Sequence, residues 1–407
     1  MSKFKNEMSF RFLWLGQMLA NLGDVIYTVS LTTIVYKATN SVTLMSLVPF
    51  VITITALCSG FFAPIILDQY KLKWILFYSQ SGKTLLLFLL CILIPTIQLD
   101  NLILLYILIA FISFLDGCAT PARNALVPVL VQKEKLVKTN SFLAVLDQIT
   151  QLIAWPIGSI LLVIWGGNHL LWLTFCLFII SSLFMFYIKQ DQQPKNEVII
   201  SKWSSIKEGW IIIWENRQLR SISLMNIFET FANGVWIAAI LYVYVEEVLH
   251  KQEFWWGIIN ASFFAGMFIG GLIVYRIADK LEKKLGYYII WSTFLLVILT
   301  LAFALISNAW IALIISLLFG FPQMVKDVAE VSIFQKAVRQ EALAKVFSAR
   351  GTLMYAAFGI SSVFLGWLTE EFGVVCTFLT ATACFLLSFI TGIQNRMYLA
   401  AKQETLR

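Results

Sequence analysis

Val131-Gln-Lys-Glu-Lys-Leu-Val-Lys138 recurs 207 residues later as Val338-Arg-Gln-Glu-Ala-Leu-Ala-Lys345. The match continues at Ser141/Ser348, Leu146/Leu353, Ile153/Ile360, Leu161/Leu368 and Gly166/Gly373. Nine identities in 36 aligned positions, with Glu, Lys and Ser among them, exceed what a shared apolar composition produces. The offset is close to half of the 407 residues, so the chain reads as two halves repeated in one orientation.

What is repeated follows from composition. Hydrophobic residues make up 59% of the chain and charged residues 13%, against roughly 45–50% and ~25% in a soluble domain. A water-soluble globule, a disordered chain and a nucleic-acid-binding domain are excluded, since each requires far more polar or basic surface. The six cysteines, Cys58, Cys91, Cys118, Cys176, Cys376 and Cys384, lie in apolar segments without CxxC spacing and read as small buried hydrophobes. The two histidines, His169 and His250, are far apart in sequence, so no metal site is expected. No nucleophile–base constellation stands out, so neither an enzyme nor a bound cofactor is expected.

A hydrocarbon layer of about 30 Å needs about 20 apolar helical residues per crossing. Runs of that length predict an all-α polytopic membrane protein of twelve helices, near 10–35, 44–67, 74–97, 101–122, 140–164, 169–189, 219–245, 255–275, 286–306, 309–328, 345–368 and 373–395. The hydrophilic stretch between them divides the chain into a first six-helix bundle, 1–189, a connector, 190–218, and a second bundle, 219–407. An even number of crossings per half is what a same-orientation repeat demands. With the amino terminus cytoplasmic, 27 of the 30 Lys and Arg fall on the inner side, only Lys37 and Lys251 on the outer, and Lys83 within a helix. The positive-inside rule therefore places both termini in the cytoplasm, and the +7 net charge is topological. In the connector, Ser205-Ile-Lys-Glu208 fits a capping box, and Trp203, Ile206, Trp210 and Ile213 recur at helical spacing. An amphipathic helix lying on the membrane surface is expected there, bracing the two halves.

Parallel six-helix repeats are the construction of the major facilitator superfamily. Pro121-Ala-Arg-Asn-Ala-Leu-Val-Pro128, followed by Glu134-x-Leu136-x-Lys138-x-Asn140-Ser141, resembles the loop after helix four in that family's drug:proton antiporter branch, which includes the bacterial macrolide-efflux transporters. Gly16-Gln17 and Gly23-Asp24 in helix one are similar as well. The resemblance covers essentially the whole chain. It implies a secondary transporter in a bacterial cell membrane, with a small molecule and protons as partners, functioning as a single chain. Of the family's charged loop between helices two and three, Pro64-Ile-Ile-Leu-Asp68-Gln-Tyr-Lys71-Leu-Lys73 keeps the aspartate and a basic tail. Of the antiporter signature in helix five, Trp155-Pro156-Ile157-Gly158-Ser159 keeps one Pro and one Gly.

A charge at a helix centre costs about 2.5–3.5 kcal/mol or more, so each calls for a partner, a wet cavity or a function. Asp24 falls about 21 Å up helix one from Phe10. It is either a proton carrier or a structural aspartate that caps a helix break after Gly23 or pairs with a base. Asp147 and Glu229 are the corresponding candidates in helices five and seven, for a proton or a cationic substrate; Glu229 also has Asn226 and Asn233 as hydrogen-bonding neighbours. Lys83 reads as the one membrane-embedded base, with Asp24, Asp116 or Asp147 as its counter-charge. Asp116 and Arg123, placed at the inner end of helix four, read as gate contacts. Asp68 with Lys71 and Lys73, and Asp279 with Arg276, occupy equivalent loops and form either solvated charge runs or, as the resemblance implies, an inner latch. Pro156 and Gly158, and Gly320 and Pro322, predict bending or close packing in helices five and ten.

These readings converge on proton-driven export of a hydrophobic or amphiphilic compound by alternating access. The alternatives are a facilitator of a nutrient, peptide or siderophore, and a non-transporting membrane sensor or scaffold.

Overall fold

A computed structural model describes residues 2–39, 42–96, 102–190, 202–236, 238–252 and 254–400, and every regular element among them is helical. In chain order these are α1 (Ser2–Thr39), α2 (Val42–Gln69), α3 (Leu72–Leu93), α4 (Leu102–Leu130), α5 (Leu136–Tyr187), α6 (Lys202–Glu215), α7 (Arg217–Ala232), α8 (Ala238–Glu247), α9 (Phe254–Glu282), α10 (Leu285–Leu305), α11 (Ala309–Ala337), α12 (Gln340–Phe372), α13 (Val374–Gln394) and α14 (Arg396–Ala400). Among the described residues, ten helices are long and apolar enough to cross a membrane. An eleventh crossing forms if the pair α7 and α8, bent by 50°, is one broken span. The segment expected near 140–164 is the first arm of α5.

Two glycines explain one identity of the repeat. The 52-residue α5 has its single non-helical backbone at Gly166, with φ 77° and ψ 162°. Gly373, its partner in the second half, has φ 83° and ψ 160° between α12 and α13. That region of backbone space is essentially open only to glycine, so both halves turn from their fifth to their sixth span on the same residue. Hence the break in α5 falls at Gly166, and the backbone around Pro156 and Gly158 stays helical; the Pro156 side chain lies outside the described residues.

Several helices run further than their sequences suggest. Pro121 and Pro128 lie inside α4, and Pro322 lies inside α11, without ending either. In a bilayer a proline is tolerated inside a helix where neighbouring groups re-satisfy the freed backbone. Gly320 packs closely: a Cβ there would sit 2.3 Å from the Phe263 carbonyl oxygen and 2.5 Å from the Met267 nitrogen, so α9 and α11 cross backbone to backbone.

The chain forms two compact units. One comprises Met1–Gln132, Ile149–Trp210 and Gln340–Thr352; the other comprises Lys133–Gln148, Ile211–Arg339 and Leu353–Arg407. The first has a core that includes Leu31, Leu87, Ile109, Leu171 and Phe178, and the second one built around Tyr244, Phe303, Phe319, Phe378 and Phe385. The start of α5 thus belongs to the second unit and the start of α12 to the first. Equivalent serines hold these starts in place. Ser141 of α5 donates to the Gly271 carbonyl at 2.7 Å, and Ser348 of α12 donates to the Gly60 carbonyl.

Candidate functional site

Asp24 lies within an unbroken α1, so it caps no helix break. Its environment is set by Gly23, where a Cβ would meet the Phe178 ring at 2.6 Å. The bare glycine lets the second arm of α5 approach, and the Phe178 ring centroid then lies 5.0 Å from the Lys83 ammonium. Lys83 reaches in from α3 and donates to both Asp24 oxygens, at 2.8 and 3.0 Å, and to Asp116 Oδ1 of α4 at 2.6 Å. The lysine is 1% exposed, whereas Asp24 and Asp116 are 33% and 46% exposed. One buried base therefore joins two partly exposed acids, and the three groups sum formally to −1.

Two readings from the sequence are corrected here. Asp116 is no inner-end gate contact: α4 runs 14 residues to either side of it, which puts it about 21 Å from each end. The sequence suggests an end near 122, whereas α4 continues past Pro121 and Pro128 to Leu130. Asp147, the third proposed partner of Lys83, lies in the part of α5 that packs with the second unit and takes no part in this cluster.

The second unit holds a related cluster. Lys326 of α11 pairs with Glu229 of α7 and, at 2.6 Å, with Glu330 one turn further along its own helix. The Lys326 ammonium also donates to Asn226 Oδ1 at 3.2 Å. Glu229 Oε1 accepts from Thr293 of α10 at 3.1 Å and from Ser388 of α13 at 2.5 Å. Exposure is 1% for Lys326, 2% for Glu229 and 0% for Glu330. Lys83 is therefore not the one embedded base. With helix ten ending near 328, the sequence reads Lys326, Asp327 and Glu330 as contacts at its inner end, whereas α11 continues to Ala337. The i,i+4 spacing of Lys326 and Glu330 was the available signal, since it keeps the two on one helical face. Asn233, the other proposed neighbour of Glu229, is the C-cap of α7.

The loop charges also find different partners. Asp68, at the end of α2, pairs with Lys345 of α12 and accepts from the Ser205 hydroxyl of α6. Glu208 of α6 binds the same ammonium at 2.6 Å. Lys71 and Lys73 are not the partners of Asp68; Lys73 instead lies over the Trp74 ring at 4.6 Å. Ser205 and Glu208 form no capping box either, because α6 begins at Lys202, before Ser205. At Gly209 a Cβ would meet the Lys345 carbonyl at 2.4 Å, so α6 lies directly on the start of α12. In the second half, no equivalent pair closes among the described residues. Lys138 lies over the Tyr275 ring at 4.9 Å, and Asp279 and Arg276 are exposed. Arg123 lies on α4, two residues after Pro121.

Comparison with known proteins gives the same architecture. The family model described as Major Facilitator Superfamily matches residues 13–362. An uncharacterized MFS-type transporter of Bacillus subtilis, YfmI, is 30% identical over 389 residues, covering 94% of this chain and 95% of its own. Macrolide efflux protein A of Streptococcus pyogenes is 21% identical, covering 98% of each chain. Among solved structures, a bacterial homologue of the iron transporter ferroportin, in an outward-facing state, superposes with a TM-score of 0.77 at 16% identity, covering 96% of this chain and 99% of its own. The paired acid–base clusters thus sit in a fold built for moving small molecules across a bilayer, and the chain belongs to the Major Facilitator Superfamily as a multi-pass membrane transporter.

Proposed function

We propose that this transporter exports hydrophobic or amphiphilic compounds from a bacterial cell in exchange for protons, with Asp24, Lys83 and Asp116 as the coupling site and both termini in the cytoplasm. The carrying observation is the buried Lys83 held between two carboxylates that remain 33% and 46% exposed. A proton arriving at Asp24 or Asp116 removes one of the two counter-charges of Lys83. The ammonium then redistributes onto the remaining carboxylate, so proton uptake changes how α1, α3 and α4 are held together. A pair that rearranges on protonation in this way links ion movement to conformation. Both acids belong to the same unit as their base, so the rearrangement is local to that unit. The 21% identity to a macrolide efflux protein supports the outward direction and the substrate class. The sealed cluster of Lys326, Glu229 and Glu330 is assigned a structural part, because its groups have no comparable exposure. The clasp of Asp68, Lys345 and Glu208 is assigned to holding one of the two conformations of the alternating-access cycle.

Proteoliposomes under an imposed pH gradient, challenged with a panel of amphiphilic compounds including macrolides, test this reading. Compound-stimulated proton flux is expected in the wild type and is expected to be lost in Asp24→Asn and in Asp116→Asn. Undiminished flux in both variants overturns the coupling assignment, and transport that ignores the pH gradient overturns proton exchange.

A further inference from the structure

The basic residues beside the α2–α3 turn are not consumed by the Asp68 clasp. Lys71 and Lys189 both lie close enough to Lys73 to repel it electrostatically, and none of the three forms an ion pair among the described residues. Gln190 accepts from the Lys73 backbone N–H at 3.0 Å, which leaves its own buried Nε2 without a partner among the described residues. Here α3 also begins, with Lys71 at its N-cap and no side-chain cap, so the positive end of the helix dipole adds to the cluster. Three ammonium groups, an orphan amide donor and a helix start make a donor-rich, acceptor-poor spot, and its missing component is an anion.

A cavity of about 460 Å³ opens next to it, lined by Ile66 of α2, Tyr70 of the α2–α3 turn, Ile75, Tyr78 and Ser79 of α3, and Leu115 and Cys118 of α4. Its volume is in the range that accommodates a small-molecule-sized group. The lining is mainly apolar, and its two tyrosines are 55% and 58% exposed, as interfacial aromatics are. The groove begins within two helical turns of the lysines, on the order of 10 Å along α3. Charge at the membrane boundary and apolar space running inward from it match one kind of occupant.

We propose that this groove holds one anionic phospholipid of the leaflet on the side of the α2–α3 turn, its phosphate against Lys71, Lys73 and Lys189 and an acyl chain between α2 and α3. Binding would tie α2, α3 and the end of α5 together at the membrane surface.

Native mass spectrometry of the full chain in detergent, titrated with an equal mixture of dioleoyl phosphatidylglycerol and dioleoyl phosphatidylcholine, tests the proposal. One phosphatidylglycerol is expected to be retained at least tenfold over phosphatidylcholine. The preference should fall to parity in Lys71→Gln/Lys189→Gln and persist in Lys133→Gln/Lys135→Gln, which removes the same charge from another exposed loop. Soluble glycerol 3-phosphate should not displace the lipid, because it cannot fill the groove. Parity in the wild type, equal loss in both double variants, retention in Lys71→Gln/Lys189→Gln, or full displacement by glycerol 3-phosphate would each overturn it.

Discussion

Removing the ammonium of Lys326 takes the counter-charge from two carboxylates that are at most 2% exposed. Breaking a buried ion pair from one side typically costs about 3–5 kcal/mol, because a charge is left in low dielectric. Lys326→Met is therefore expected to lower the thermal unfolding midpoint in detergent sharply. Adding Glu229→Gln should recover a large part of the loss, since glutamine can still accept from Thr293 and Ser388. In the first unit the same operation has a different outcome. Asp116 is 46% exposed and Lys83 keeps Asp24 as a second counter-charge, so Asp116→Asn should lower stability less than Lys326→Met does while abolishing proton flux. Unfolding and flux measured on the same variants separate the two clusters: one is expected to act on folding, the other on transport. Neither role could be read from residue type, since both clusters contain one lysine and two acids.

Helix contacts depend on glycines at particular crossings. A methyl at Gly320 would press on the backbone of α9 at 2.3 and 2.5 Å, and overpacking of this sort costs about 1–3 kcal/mol. Gly351, inside α12, has nothing within 4 Å of the same methyl, so Gly351→Ala should stabilise the helix by about 0.5–1 kcal/mol. Opposite shifts in unfolding temperature are the expected result. At Gly209 the methyl would meet the Lys345 carbonyl at 2.4 Å, forcing α6 away from α12. Gly209→Ala should raise hydrogen–deuterium exchange along α6, and unchanged protection would show that the connector is held by something other than this contact. Trp203, Ile206, Trp210 and Ile213 recur at helical spacing along α6, where Ile206 and Ile213 are buried while Trp203 is 63% exposed. Its partner surface was not predicted, because amphipathicity gives a face and not what the face meets.

Across the whole molecule the internal repeat is more symmetric in backbone than in charge. Gly166 and Gly373 share a backbone conformation, and Ser141 and Ser348 make equivalent bonds to glycine carbonyls. Lys138 and Lys345 are also a repeated pair, yet among the described residues Lys345 closes an ion pair, with Glu208 of the connector as a second acid, and Lys138 lies over the Tyr275 ring. The connector occurs once in the chain, so it can complete one of the two clasps and not the other. Asp68→Asn is accordingly expected to change the transport rate several-fold, and Asp279→Asn to leave it near wild type, in the same proteoliposome assay. If both termini face the cytoplasm, single cysteines replacing Ser2 and Thr405, in a background without native cysteines, should resist impermeant thiol reagents in intact cells and react after lysis.

By itself the sequence determined the helical class, the same-orientation repeat with its Gly166/Gly373 identity, and two of the embedded acids, Asp24 and Glu229. These follow from local properties: apolar run length, the scarcity of charge, and backbone conformations open only to glycine. Where helices end was less legible: apolar run length suggests ends near 122 and 328, but α4 continues past Pro121 and Pro128 to Leu130 and α11 continues to Ala337. That shift of a few residues moved Asp116 and Lys326 from the membrane boundary to its interior. Only the tertiary structure decided that Lys83 takes Asp24 and Asp116, that Lys326 takes Glu229, and that Lys345 takes Asp68 and Glu208. Each pairing depends on the rotation and height of helices distant in sequence, which packing sets collectively and no single segment records.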